Sequence, residues 1–167
     1  MSSQRETGTA ESGGAPPGVE EARIWRLLGA VPDPEIPVLS VLDLGIVRCV
    51  RREADGRLHV GITPTYLGCP ATEAIRVAVR GTLDRAGHAD AVLEEVLSPP
   101  WSSEWLSAAG RRKLAAFGIA PPEPHVVHCP RCGSGETERL SEFGSTPCKA
   151  HYRCRACLEP FDAFKCI

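Results

Sequence analysis

The sequence lacks long hydrophobic runs and any excess of positive charge. No stretch approaches the roughly 18 consecutive apolar residues that span a bilayer, and the N-terminus lacks the basic-then-apolar pattern of an export signal. Among 167 residues, 19 Lys and Arg stand against 21 Asp and Glu, a formal net charge of −2. A generic basic surface for a phosphate backbone is therefore not expected. We expect a cytoplasmic protein with neither a membrane nor a nucleic-acid partner.

Motifs of an autonomous enzyme are also missing. The chain contains no glycine-rich phosphate loop, no Ser/His/Asp constellation and no candidate nucleophile besides one cysteine, Cys69. We therefore predict no catalytic residue.

The residues that are present predict one modest domain with a small appendage. Hydrophobic residues make up 43% and charged residues 24%, as in an ordinary globular protein. Residues 1–18 contain almost nothing apolar and are predicted to be a disordered tail. Residues 19–118 form the predicted main domain, residues 119–127 a proline-rich linker, and residues 128–167 a small cysteine-rich domain.

Hydrophobic periodicity predicts the order αββαβα in the main domain. This order indicates an α+β fold, in which helices cover a small mixed sheet in two layers. The predicted elements are a helix from Val19 to near Pro32, strands 46–52 and 57–63 around a turn at 54–56, a helix over 70–86, a strand over 89–97, and a last helix from a Ser102 or Ser103 cap through Trp105 toward Phe117.

Three local patterns make these predictions more specific. In the second strand, Leu58, Val60 and Ile62 are predicted to share one face. Ser40 and Asp43 have capping-box-like spacing and predict a short helical turn before the first strand. The central helix is predicted to bury a stripe formed by Ala71, Ala74, Ile75, Ala78, Val79 and Ala86.

Four of the eight cysteines form two Cys-x-x-Cys pairs, Cys129 with Cys132 and Cys154 with Cys157. In a chain without an export signal this spacing favours a metal over disulfides. A segment this small needs more than a hydrophobic core, and a tetrahedral Zn²⁺ bound by four thiolates would stabilise it. The same four sulfurs also suit rubredoxin-type iron or an iron-sulfur cluster, because the spacing does not distinguish the metals.

Two further thiols in this segment, Cys148 and Cys166, lie outside the paired motifs. Each is either a core filler or an auxiliary metal ligand. Residues 125–167 carry six Lys or Arg against five Asp or Glu. This near-neutral balance favours a protein partner over a nucleic acid.

A seventh cysteine, Cys69, comes directly before Pro70 at the predicted start of the central helix. The unpaired N–H groups and the dipole at a helix start stabilise a thiolate, which makes Cys69 a candidate nucleophile or soft-metal ligand. Gly68 removes side-chain bulk beside it. The alternative is that Cys69 is a small buried hydrophobic residue on a turn.

Two acidic residues, Asp33 and Glu35, lie on a proline-rich loop. They could be paired carboxylates for acid-base chemistry or metal binding. Their default role is turn and cap chemistry, which is also the default for Asp43.

Three segments together resemble the small domain of iron-sulfur cluster assembly factors of the SufT and cytosolic MIP type: Asp33-Pro-Glu35, Val41-Leu-Asp-Leu-Gly-Ile46 and Thr63-Pro-Thr-Tyr-Leu-Gly-Cys-Pro-Ala71. With the cysteine-rich tail, which includes 141–146 and 158–162, the whole chain resembles the phenylacetate-CoA oxygenase subunit family called PaaD or PaaJ. The fused zinc ribbon distinguishes this family from the bare domain.

This resemblance implies that Cys69 handles iron-sulfur clusters. We assign Cys69, Asp33 and Glu35 to cluster or metal transfer. It also implies a role in aerobic phenylacetate degradation, in support of a di-iron epoxidase that acts on phenylacetyl-CoA and of its iron-sulfur flavin reductase. The chain lacks the Glu-x-x-His pairs of a di-iron bundle, so it is not expected to be the oxygen-activating subunit.

Two hypotheses follow from the resemblance. In the first, the chain is a maturation factor that binds structural zinc and carries iron or an iron-sulfur cluster transiently. In the second, it is a non-catalytic docking subunit of the oxygenase with only structural zinc. A homodimer is compatible with either.

Overall fold

A computed structural model describes residues 18–66 and 68–167 of the chain. Except for Gly18, the tail predicted over 1–18 lies outside the described residues. Among the helices that the structure describes, none combines the length and apolar character that crossing a membrane requires.

The order αββαβα is confirmed, and four further strands follow it. The first sheet has the order β1-β2-β3, with β1 antiparallel and β3 parallel to β2. The α+β prediction with a small mixed sheet is therefore confirmed. The elements are α1 Val19–Leu28, β1 Val47–Arg52, β2 Leu58–Ile62, α2 Ala71–Arg85, β3 Val92–Glu95, a 3₁₀ turn Ser103–Trp105, α3 Ala108–Phe117, β4 Ile119–Ala120, β5 Thr137–Ser141, β6 Lys149–Cys154 and β7 Pro160–Phe164.

Strand β2 is the centre of the first sheet and supplies much of its buried face. Leu58, Val60 and Ile62 alternate along the strand and are each 2% exposed or less. Gly56 closes the β1–β2 hairpin with a φ of +83°, a conformation that residues with a Cβ rarely adopt. The alternation predicted from the sequence is therefore confirmed.

Helix α2 buries a narrower stripe than predicted. Ala71, Ile75, Val79 and Leu83 face the core at spacings of four residues. Ala74, which was expected on the stripe, is exposed. An uninterrupted four-residue spacing keeps one row of side chains on the sheet, and Ala74 falls outside that row.

The single last helix expected from Ser102 or Ser103 to Phe117 is wrong. Ser102 caps only the 3₁₀ turn, and Leu106 then takes an extended conformation with ψ of 122°. A new cap follows at Ser107, whose side chain accepts a hydrogen bond from the backbone N–H of Gly110. Leu106 is 4% exposed, so its burial accompanies the change of direction that divides the helix.

The second sheet has the order β4-β7-β6-β5. Strand β4, Ile119–Ala120, pairs parallel with β7. The segment expected to be a linker over 119–127 therefore begins with two residues that belong to a sheet. The proposed domain boundaries remain a prediction.

The cysteine-rich segment packs directly on the main domain. The rings of Trp101 and Phe164 lie 6.1 Å apart, and both belong to the larger hydrophobic core. The indole N–H of Trp101 donates to the carbonyl of Leu44 at 2.7 Å. At the C-terminus, the backbone N–H of Ser103 donates to the carbonyl of Ile167 at 3.0 Å. The ring contact and the bond to Ile167 fix β7, and with it β6, against the main domain, whereas the bond to Leu44 lies within the main domain and orients Trp101.

Candidate functional site

The two Cys-x-x-Cys pairs converge in the ribbon sheet. Their four Sγ atoms all lie within 4.8 Å of one another. The Cys129–Cys157 and Cys132–Cys154 sulfur distances are 3.7 and 3.6 Å. In a tetrahedron with Zn–S bonds of about 2.3 Å, sulfurs lie about 3.8 Å apart. The arrangement therefore fits zinc, and we call it the four-cysteine group.

Local backbone structure brings each pair of sulfurs together. The N–H of Gly133 donates to the carbonyl of Cys129 at 2.8 Å, and Gly133 has a φ of +75°. In the second pair, the N–H of Cys157 points at the Sγ of Cys154 at 3.5 Å. Such turns place two sulfurs on one side of a loop, as the spacing predicted.

A second site lies where the proline-rich loop, the start of α2 and the ribbon meet. Asp33, Glu35, Cys69 and Cys148 line one cavity there, which we call the thiol cavity. It has a volume of about 20 Å³, room for roughly one water-sized group. The structure thus places together the three residues predicted for metal or cluster transfer and one of the two auxiliary thiols.

Cys69 lies in the turn that leads into α2. Its N–H donates to the carbonyl of Tyr66 at 3.2 Å, and its carbonyl accepts from the N–H of Thr72 at 3.1 Å. The residue is half-buried and faces the thiol cavity. Beside it Gly68 has a φ of +81°, and a Cβ there would meet no described atom within 4 Å. The site next to Cys69 is therefore open to another molecule.

The phenol of Tyr66 is held in its neutral form near this cysteine. Burial, and then the neighbouring Cys69 thiol, raise the pKa of Tyr66 to about 12. At neutral pH the phenol therefore remains a hydrogen-bond donor.

Asp33 performs the turn chemistry expected of it and also reaches the cavity. Its Oδ1 accepts the backbone N–H groups of Glu35 and Ile36 at 2.9 and 2.7 Å. The side chain is 7% exposed. These bonds hold the loop so that Asp33 and Glu35 both line the thiol cavity.

The two auxiliary thiols differ in their surroundings. Cys148 is 8% exposed and belongs to the larger hydrophobic core, and burial raises the pKa of its thiol. Cys166 is exposed near the C-terminus and lies outside the lining of the thiol cavity. Neither belongs to the four-cysteine group.

A buried carboxylate connects the loop before β1 to α3. Asp43 accepts the N–H and Oγ of Ser40 at 2.9 and 3.0 Å, and the side chains of Ser107 and Lys113 at 3.2 and 2.6 Å. Burial opposes its ionisation, but the bonds from Lys113 and Ser40 outweigh it and hold the pKa of Asp43 below its usual value. The capping turn at Ser40 is confirmed, whereas the link to α3 had no sequence signal.

Sequence reasoning missed other residues of the thiol cavity. Thr72 and Glu95 line it, although no motif marks them, and Thr65 lines it from within the quoted segment 63–71, in which only Cys69 was singled out. Glu95 ends β3 and comes to the cavity only because β3 pairs with β2.

Comparison with known proteins agrees with this two-part architecture. The model of the PaaD zinc beta ribbon domain matches residues 120–165, and that of the iron-sulfur cluster assembly protein family matches residues 21–93. An Escherichia coli K12 protein named as a subunit of 1,2-phenylacetyl-CoA epoxidase is 48% identical over 161 residues, which are 92% of this chain and 96% of that one. The chain belongs to the PaaD family of epoxidase subunits. The resemblance inferred from the motifs is therefore confirmed.

Two other relatives cover the main domain. An Fe-S protein maturation auxiliary factor of Bacillus subtilis is 34% identical over 105 residues, 60% of this chain and 99% of that one. A crystal structure of a domain of unknown function from Bacillus anthracis is 28% identical with a TM-score of 0.51, and the match covers 56% of this chain and 90% of that one. This PaaD-family chain thus combines such a domain with a zinc ribbon. The roles of the individual site residues remain predictions.

Proposed function

We propose that this chain is an accessory maturation factor of aerobic phenylacetate degradation. It receives iron or an iron-sulfur cluster and passes it to phenylacetyl-CoA epoxidase or to the iron-sulfur flavin reductase of that enzyme. The names of the E. coli epoxidase subunit and of the B. subtilis maturation factor support the two halves of this proposal. The chain itself performs no oxygenation.

The observation that carries the proposal is the position of Cys69. Its thiol lies at the start of α2, faces a cavity that also contains Asp33 and Glu35, and has open space on the Gly68 side. A transfer site has to leave coordination positions free for the ligands of the donor and the client. One accessible thiol with neighbouring carboxylates meets this need, since such a site binds its cargo without enclosing it.

The four-cysteine group, in contrast to the Cys69 site, has no free coordination position. Four sulfurs that already lie at tetrahedral distances leave no position for an incoming ligand. When bound there, zinc supplies structural stability to the ribbon. In this proposal the ribbon also recognises the client protein.

The test is cluster content in the client. The epoxidase components and the reductase are produced together with this chain as wild type, as Cys69→Ser or as Cys166→Ser. Cys166 is an exposed thiol outside the cavity lining, so its variant is the matched control. We expect iron and acid-labile sulfide in the purified client to fall with Cys69→Ser and to be unchanged with Cys166→Ser.

A client with its normal cluster content in the Cys69→Ser background would contradict the proposal. Zinc content and the circular dichroism spectrum of each variant show whether the chain itself is intact.

A second candidate function is a docking subunit of the oxygenase with only structural zinc. The word subunit in the E. coli name and the exposed apolar side chains of Leu140, Phe143 and Leu158 on the ribbon favour it. Stoichiometric co-purification of this chain with the epoxidase, together with a harmless Cys69→Ser substitution, would support this function over the first.

A further inference from the structure

Cys148 is a buried thiol of the ribbon that the four-cysteine group does not use. It lies directly before β6, whereas Cys154 lies at the far end of that strand. Cys154 lies six positions after Cys148 along extended chain, a separation of about 20 Å at the usual rise of a strand. The ribbon can therefore bind zinc without Cys148. The thiol instead faces the cavity that contains Cys69.

The backbone around Cys148 is held firmly. Its carbonyl accepts the N–H of Lys165 at 2.9 Å, and the N–H of Lys149 donates to Thr146 at 3.1 Å. Lys149 pairs with Phe164 across β6 and β7, and Phe164 packs on Trp101 of the main domain. The docked ribbon thus places this thiol at the cavity.

The remaining lining of the thiol cavity suits a cation. Besides the two thiols it includes three carboxylates, from Asp33, Glu35 and Glu95. No Lys, Arg or His contributes to the lining among the residues that the structure describes. Asp33 is buried, Glu35 is half-buried and Glu95 is exposed at the rim. Carboxylates that are partly removed from water and have no basic side chain beside them favour a bound positive charge.

The size of the cavity and its donor atoms narrow the choice of cation. A volume of about 20 Å³ holds roughly one ion or water and is too small for a preformed cluster. Mixed sulfur and carboxylate donors suit divalent iron, cobalt or zinc more than magnesium or calcium.

We infer that Cys148 is a second thiol ligand of the transfer site, so that Cys69 and Cys148, with a carboxylate such as Glu35, bind one thiophilic divalent cation between the main domain and the ribbon. Binding forms two metal–sulfur bonds, breaks two S–H bonds and releases two protons, with no change of oxidation state. This inference rests on the proposed transfer function and specifies its ligands.

The two ligand sets differ in how closely their donors are assembled. Within residues 18–66 and 68–167, the four-cysteine group is the only set of three or more ligand residues whose donor atoms lie at mutual coordination distance. The donors of the thiol cavity must therefore come closer together when an ion binds. Because the backbone around Cys148 is held by its hydrogen bonds, most of this movement falls to Cys69 and the carboxylate. Gly68, which has a positive φ and no Cβ, gives the backbone beside Cys69 the freedom for such a movement.

The experiment is an anaerobic titration of the full-length, zinc-loaded protein with Co²⁺. Binding is followed by the thiolate-to-cobalt charge-transfer band, and zinc retention by elemental analysis. We expect wild type to bind one Co²⁺ beyond its zinc. Cys69→Ser and Cys148→Ser should each lose about half of the charge-transfer band. Each should also bind Co²⁺ at least about tenfold more weakly, because loss of a supporting group around a metal typically lowers metal affinity 10–100-fold. Cys166→Ser, the control, should titrate as wild type.

Cys148→Ala is included because a buried serine could disturb the core. A Cys148→Ala protein that keeps its zinc and its circular dichroism spectrum, yet binds Co²⁺ as wild type does, would overturn the inference. If Cys69→Ser nevertheless depletes the client of its cluster, the transfer function stands with Cys69 acting without Cys148. If wild type binds no cobalt beyond its zinc, the inference also fails, and client cluster content separately decides the function.

Discussion

The four-cysteine group and the thiol cavity differ in how completely each holds its ligands. In the four-cysteine group all sulfurs lie within 4.8 Å of one another, on turns that are close to each other in the ribbon. In the thiol cavity, Cys69 comes from the main domain and Cys148 from the ribbon, and carboxylates and threonines supply the rest of the polar lining. In our proposal, the complete set of thiolates retains its metal, whereas the incomplete set between the main domain and the ribbon exchanges one. The difference teaches that cysteines in one small chain can be assembled to different degrees.

The largest effect should come from breaking the four-cysteine group. Cys154→Ser removes a fully buried ligand, so zinc content should fall from one per chain to near zero and the ribbon should unfold. Because Phe164 packs on Trp101, the main domain should also lose stability. Elemental analysis and hydrogen exchange of β6 and β7 check this. Full zinc retention in Cys154→Ser would show that the four sulfurs do not act together.

Asp43→Asn should have the next largest effect, a loss of about 2 kcal/mol of unfolding free energy. The carboxylate accepts bonds from Ser40, Ser107 and Lys113, and bonds to a charged group contribute more than neutral ones. Because its folded-state pKa is lowered, the stabilisation is fully present above the ordinary value near 3.8 and is lost as pH falls through the lowered value.

Urea denaturation of both proteins between neutral and acidic pH measures this contribution. The difference between wild type and Asp43→Asn should shrink as the pH falls below about 4. A difference that stays constant over this range would contradict the assignment.

Trp101→Phe tests whether the bond that orients Trp101 within the main domain also holds the ribbon, which packs on Trp101 through Phe164. It removes the indole N–H and leaves the buried carbonyl of Leu44 without this donor, at a cost of about 1.5 kcal/mol. Loosened docking should expose Cys148, so its alkylation rate, followed by mass spectrometry, should rise. The rate at exposed Cys166 should be unchanged and is the internal control. An unaltered rate at Cys148 would mean that docking does not depend on this bond.

The smallest effect on stability should come from Gly68→Ala, about 1 kcal/mol. A Cβ there meets no described atom within 4 Å, so the cost is the positive φ alone. Gly56→Ala is a matched control, because Gly56 has nearly the same φ and equally open surroundings in the distant hairpin turn. Thermal denaturation should show similar losses, and the Co²⁺ titration should change only in Gly68→Ala. If Gly68→Ala and Gly56→Ala gave the same Co²⁺ titration, the backbone conformation at Gly68 would play no part in ion binding.

Some features of the fold and site follow from short-range patterns. The Cys-x-x-Cys spacing predicted the four-cysteine group because neighbouring residues of one turn necessarily share a site. Alternation along β2 predicted its buried face, because successive side chains of a strand point to opposite faces. Ser40 with Asp43 predicted a capping turn, because the two residues lie only three positions apart.

Other features depend on packing. The division of the last helix accompanies the burial of Leu106, and although Ser107 is a favourable cap residue, the serines at 102 and 103 are equally so, and local propensity does not choose between them. The assignment of Ile119–Ala120 to the ribbon sheet depends on β7, which comes much later in the chain.

The amino-acid sequence by itself determined the αββαβα order of the main domain, the two Cys-x-x-Cys pairs and the position of Cys69 at a helix start, because each depends on residues a few positions apart. Only the tertiary structure decided that Cys148 faces the cavity of Cys69 while Cys166 does not. Both are unpaired cysteines of the same segment and look equivalent in the sequence. Their difference arises from the docking of Phe164 on Trp101, which buries one thiol against the main domain and leaves the other exposed.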